Sequence, residues 1–253
     1  MKRQAPLLFF PLLLMAAVLL GLSAPAGAVN LPSITFGVEE AESTTQVSSG
    51  LQILFLLTIL SVAPAILLMM TSFARIVIVL GFVRLAMGTQ NMPPTQIIVG
   101  LALFLTFFIM SPTFNVINRD ALQPYLNEEI TQQDAFARAV EPMRQFMFSH
   151  VMEEELAMLS DITLEDAPEN RDDIPTMTLI PAFMLSELKR AFQMGFMVYV
   201  PFLVIDMIVA SVLMSMGMMM LPPIIISMPF KLLLFVLVDG WGLVTGSLLQ
   251  SFG

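Results

Sequence analysis

Apolar residues along this chain come in long blocks. A run at 7–22 follows Lys2 and Arg3, and four further blocks follow at 51–71, 96–110, 192–220 and 224–252. Uninterrupted apolar stretches of this length predict helices covered by lipid or by protein rather than half-exposed strands. The second block, QIIVGLALFLTFFIM, extends only about 22 Å at a helical rise of about 1.5 Å per residue, short of a ~30 Å hydrocarbon core, and reads as a poor simple span. Pro64 lies in the first block, Pro201 and Asp206 interrupt the third, and Pro229, Lys231 and Asp239 interrupt the fourth. Proline inside an apolar helix removes a backbone hydrogen bond and kinks it, which is tolerated where neighbouring protein satisfies the freed carbonyls. The pattern therefore predicts two kinked apolar hairpins that need protein company.

The polar intervals divide the rest. Lys2 and Arg3, the apolar run and the small residues Ala26-Gly27-Ala28 have the order of a secretory signal peptide, so residues 1–28 are expected to be cleaved. The alternative is a retained first helix. Residues 29–49 read as a flexible acidic lead-in, 50–118 as the first hairpin, 119–181 as a polar domain and 182–253 as the second hairpin. Within 119–175, fourteen carboxylates face four arginines, a local charge of −10. Phe136, Val140, Met143, Met147, Val151 and Leu156 recur there at helical steps, predicting one amphipathic helix from about 133 to 159, with an acidic loop at 161–175. Counting crossings from an exported start puts this acidic domain outside the cytoplasmic membrane. Arg75 and Arg84 then fall in an inner loop without acids, as the positive-inside rule expects, and serve to orient the first hairpin; proton-coupled transport is the weaker alternative.

Composition narrows the chemistry. The 253 residues are 57% hydrophobic and 12% charged, with a mean hydropathy of +0.85, which excludes an ordinary cytosolic domain. A formal charge of −9 argues against nucleic acid or an anionic membrane surface as partner. With no cysteine and one histidine, one chain can build neither a thiolate nucleophile nor a Cys/His metal cluster, and no nucleotide-binding loop is present. No cofactor and no enzymatic activity are expected. Asp206 and Asp239 invite an aspartyl-protease reading, but Asp239 lies in LVDGWG without a Gly-x-Gly-Asp context, so structural pairing or helix-end capping is expected. His150 reads as a surface or interface residue rather than a ligand. The 22 methionines are densest at 216–220, ahead of Leu221-Pro222-Pro223, where they serve either as core filler or as a compliant surface.

Residues 179–241, LIPAFMLSELKRAFQMGFMVYVPFLVIDMIVASVLMSMGMMMLPPIIISMPFKLLLFVLVDGW, resemble the FliP family of flagellar export-gate proteins and its SctR relatives in virulence type III secretion. Residues 72–112, SFARIVIVLGFVRLAMGTQNMPPTQIIVGLALFLTFFIMSP, resemble the family's other long block. The resemblance is closer to the flagellar branch. It implies an all-α, membrane-inserted subunit whose hairpins stack into a helical oligomeric channel in the inner membrane at the basal body, with much of the mass on the periplasmic side. It further implies a homopentamer joined by FliQ and FliR, with FlhA- and FlhB-type export components, and passing unfolded flagellar subunits. The family's methionine gasket, a soft constriction, is carried onto Met218, Met219 and Met220. Glu187 and Lys231 become candidates for an inter-subunit salt bridge, with Lys189 and Arg190 as further partners; independent snorkelling to water is the alternative. A transporter or ion channel with a site on broken helices is the competing class.

Overall fold

The computed structural model describes residues 44–89, 92–163, 168, 170–218 and 221–253. The expected signal peptide and most of the acidic lead-in lie outside the described residues. The chain divides into two units, Met1–Ile53 and Leu54–Gly253, and the packed interior belongs to the second. Every element of secondary structure among the described residues is helical: α1 (Thr44–Met69), α2 (Phe73–Ala86), α3 (Thr95–Ile117), α4 (Gln123–Leu126), α5 (Gln132–His150), α6 (Glu153–Thr163), α7 (Thr176–Ser215), α8 (Pro223–Leu237) and α9 (Gly240–Gln250), with a π-helical turn at Asn118–Leu122 joining α3 to α4 and a 3-10 turn at Arg171–Asp173. α1 starts at Thr44, inside the stretch that reads as lead-in.

The largest departure from the sequence reading is α2. The expected inner loop with Arg75 and Arg84 is a helix, and it is the centre of the fold: Ile76, Val79, Leu80, Val83 and Ala86 are buried against α3, α7, α8 and α9. A helix apolar on every side has no polar stripe to announce it, and its two arginines suggest exposure. The second block also grows. α3 continues through Pro112 to Ile117, a length of about 35 Å, so it is not too short to span. α7 starts at Thr176, sixteen residues before the apolar block, and runs 40 residues through Pro181 and Pro201.

A second core joins Met70, Met110, Met143, Met147, Leu179 and Phe183. Four of those six are methionines, so part of the methionine excess fills a core, where an unbranched thioether adapts to irregular gaps. The expected single helix 133–159 is two. Val151 leaves the helical region at ψ 144°, and Glu153, Glu154 and Glu155 open α6, where carboxylates favour the positive end of the helix dipole. The Met152 amide, beside the break, donates to Ser186 Oγ on α7 at 2.9 Å. Phe136, placed on the buried stripe by periodicity, is 72% exposed.

Among the described residues three helical stretches are long and apolar enough to cross a membrane, Leu51–Met69, Thr95–Leu126 and Thr176–Ser215. α8 and α9 add a fourth if counted as one span, bent by 63° between them. The bend falls at Asp239, not at Pro229, which lies within α8. Their apolar faces are open: Phe104, Phe108, Phe196, Met197, Met207 and Val236 are all exposed.

Candidate functional site

One buried ion pair, one partly buried pair and one methionine-rich turn hold the chemistry that the sequence singles out. Arg75, on the first turn of α2, and Glu187, midway along the first half of α7, are both fully buried and face each other. The guanidinium grips the carboxylate with two parallel hydrogen bonds: Nε donates to Oε2 at 2.9 Å and Nη2 donates to Oε1. Its remaining edge donates from Nη1 to the Ser251 carbonyl at 2.8 Å and to Ser251 Oγ at 2.9 Å, and its face lies 3.7 Å from the Phe252 ring. Removing two charges from water is expensive, and the attraction offsets it only when the geometry is bidentate and the leftover donors find acceptors. Both conditions hold. Burial lowers the proton affinity of the Arg75 guanidinium, while the hydrogen bond and charge of Glu187 oppose that shift and the half-buried Arg190 adds to it.

Lys231 on α8 donates to Asp206 Oδ2 on α7 at 2.6 Å, and Ser227 Oγ donates to Asp206 Oδ1 at 2.5 Å. Water reaches this pair from one side, since the Asp206 side chain is 28% exposed. Glu187 and Lys231, expected to pair with each other between subunits, therefore each hold a different partner within the chain. Lys189 lies on the exterior, donating to Glu154 at 3.0 Å and Glu155 at 3.1 Å. Arg84 donates from Nη1 to Thr95 Oγ1 at 3.0 Å. Asp239 takes the left-handed conformation (φ 51°) and caps α9, its Oδ1 accepting from the Gly242 amide at 3.3 Å.

At the turn after α7, Gly217 adopts φ +74°, and the chain closes in a Schellman motif: the Met218 amide donates to the Leu213 carbonyl at 3.0 Å and the Gly217 amide to Met214 at 3.1 Å. Met216 and Met218 emerge exposed. Met219 and Met220 lie outside the described residues. His150 rests between Phe146 and Phe252, at ring separations of 4.6 and 5.2 Å. Among the described residues no group of acids and histidine could hold a metal ion.

The sequence reading missed Ser227, Ser251 and Phe252. The ion pairs that they complete join residues 25 and 112 positions apart, which no local pattern reports. A signal did exist for Arg75: no acid occurs between residues 71 and 119, so a buried arginine there needs a distant carboxylate.

The profile of the FliP family matches residues 56–248, a stretch that includes Arg75, Glu187, Asp206, Lys231 and the methionine turn. The chain belongs to the FliP family. The flagellar biosynthetic protein FliP of Bacillus subtilis is 59% identical over 206 residues, 81% of this chain and 93% of that protein. Those of Borreliella burgdorferi and Caulobacter vibrioides are each 47% identical, covering 88% and 90% of this chain and 88% and 85% of theirs. Every charged residue of the buried and partly buried pairs in this FliP-family chain thus lies inside the matched region.

Proposed function

We infer that this FliP-family chain works in flagellar biosynthesis as a core subunit of the type III protein export gate in the inner membrane. It assembles as a homopentamer with FliQ and FliR, beside FlhA- and FlhB-type components, with the acidic helices α5 and α6 on the periplasmic side, and passes unfolded flagellar subunits. The observation that carries the reading is the match across 56–248 to proteins named for flagellar biosynthesis. The open apolar faces of α1, α7 and α8 support it, because a chain with so much apolar surface needs lipid or other subunits around it. The role is that of a conduit: no residue here is assigned to catalysis. Met218, Met219 and Met220 form the soft seal of the closed conduit, since flexible thioethers at a turn conform to one another and part for a polypeptide.

A motile strain deprived of its own FliP tests the reading. Expression of this chain restores swimming and the secretion of hook and filament proteins, and affinity purification yields a ring of several copies with two small helical subunits. Secretion that stays absent despite normal membrane levels, or recovery only as an isolated monomer or dimer, rejects the gate in favour of a transporter or channel.

A further inference from the structure

The chain leaves α2 over the buried lysine. Gly88, at φ +74°, passes so close that a Cβ there would lie 3.8 Å from Lys231 Nζ and 3.9 Å from Ile224. Beside this crossing, between the end of α2 and the first turns of α8, lies a cleft of about 690 Å³. Its walls are Gly81, Leu85, Ile224, Ile225 and Met228, with Arg84 at one side. None of its described lining residues is acidic. Arg84 carries five N–H donors, and Thr95 Oγ1 takes one of them. Ile224 and Ile225 stand in the first turn of α8, so the cleft runs along the start of that helix.

The cleft's level in the fold is set by what borders it. Thr95 begins α3 and Pro223 begins α8, and each of these helices starts an apolar stretch able to cross a membrane. A cation flanked by the ends of two such stretches stands where headgroups meet acyl chains. Basic pockets between transmembrane helices at that depth bind anionic headgroups, and a guanidinium matches a phosphate with two parallel donors.

We propose that this cleft binds an anionic phospholipid, with its phosphate on Arg84 and the first part of an acyl chain against Leu85, Ile224, Ile225 and Met228. A free phosphate would use Arg84 and gain nothing from the apolar walls. The net acidity of the chain does not oppose this, because it is concentrated in 119–175. The proposal rests on the reading that α3 and α8 lie in a membrane.

The test uses the full chain, reconstituted into nanodiscs of equal phosphatidylglycerol and phosphatidylcholine, re-extracted in mild detergent and weighed with its retained lipid by native mass spectrometry. The wild-type chain keeps phosphatidylglycerol several-fold over phosphatidylcholine; Arg84→Gln brings that preference to near parity, and Arg84→Lys keeps part of it. Gly81→Leu leaves the cation in place and fills the cleft, since nothing lies within 4 Å of a Cβ at Gly81, and it lowers retention of both lipids. An undiminished preference in Arg84→Gln, or undiminished retention in Gly81→Leu, overturns the proposal. So does full displacement of the lipid by millimolar inorganic phosphate, which would assign the site to a free anion. Alkaline carbonate extraction separates the two readings: a chain released from membranes overturns the membrane assignment itself, whereas one that stays but shows no lipid preference overturns the lipid site alone.

Discussion

A buried guanidinium held on three sides leaves little room for substitution. Truncating one member of a fully buried ion pair strands the other in a medium that cannot solvate it, at about 3–5 kcal/mol, whereas replacing both with apolar residues of similar volume is often neutral. Glu187→Leu is therefore expected to destabilise the chain by about that amount, and Arg75→Met with Glu187→Leu to recover most of it. Thermal unfolding in detergent, followed by circular dichroism, reads this directly; a double variant as weak as the single would mean that packing around Ser251 and Phe252, not charge, dominates the site. Lys231→Met should be milder, because the Asp206 carboxylate that it leaves behind is partly in water. The order of the two losses, Glu187→Leu above Lys231→Met, tests whether solvent access sets the cost.

At the level of elements, α2 and α7 approach closely because Gly195 has no side chain. A Cβ there would come within 2.4 Å of Phe82 Cδ2, in a ring already set edge-on against Phe192 at 5.6 Å. Overpacking of this kind costs about 1–3 kcal/mol, so Gly195→Ala is expected to lower the melting temperature, and unchanged melting would show that Phe82 can swing aside. Gly217→Ala is expected to cost about 1 kcal/mol by a different route, through the left-handed backbone that ends α7. Partial proteolysis at the methionine turn checks it, with faster cutting as the expected outcome. How legible these elements are in the sequence depends on their surroundings. The long apolar blocks can be read because length and hydropathy alone reveal them. The sequence offers Pro229, Lys231 and Asp239 as interruptions of the fourth block without ranking them, and the bend falls at Asp239 because Pro229 is accommodated within α8 while an aspartate that caps a new helix ends the old one. α2 escapes for a deeper reason: burial on all sides erases periodicity, and its arginine charge is neutralised by a partner 112 positions away. The same kind of distance hides the partners that Glu187 and Lys231 hold within the chain.

For the whole molecule, the division between a packed interior and open apolar faces sets what assembly must supply. Met70, Met110, Met143 and Met147 are locked in a core, whereas Met216 and Met218 are exposed at the turn, so methionines of one composition serve two ends. Replacing Met218, Met219 and Met220 together with alanine is expected to leave copy number in the purified gate unchanged and to make cells leak small ions; wild-type ion conductance in the triple variant removes the sealing role. The Arg75 site also bears on the order of events during synthesis. Arg75 leaves the ribosome well before Glu187 and before Ser251, which lies 176 positions away. At about 5–20 residues per second, the guanidinium waits roughly 6 to 20 s for its carboxylate. During that interval an unpaired cation on α2 has its best solvation in water, so α2 is expected to stay at the surface of the bilayer while α7 is being made. The newest helix closes over the older one, and the interior of the finished subunit is the last part of it to form.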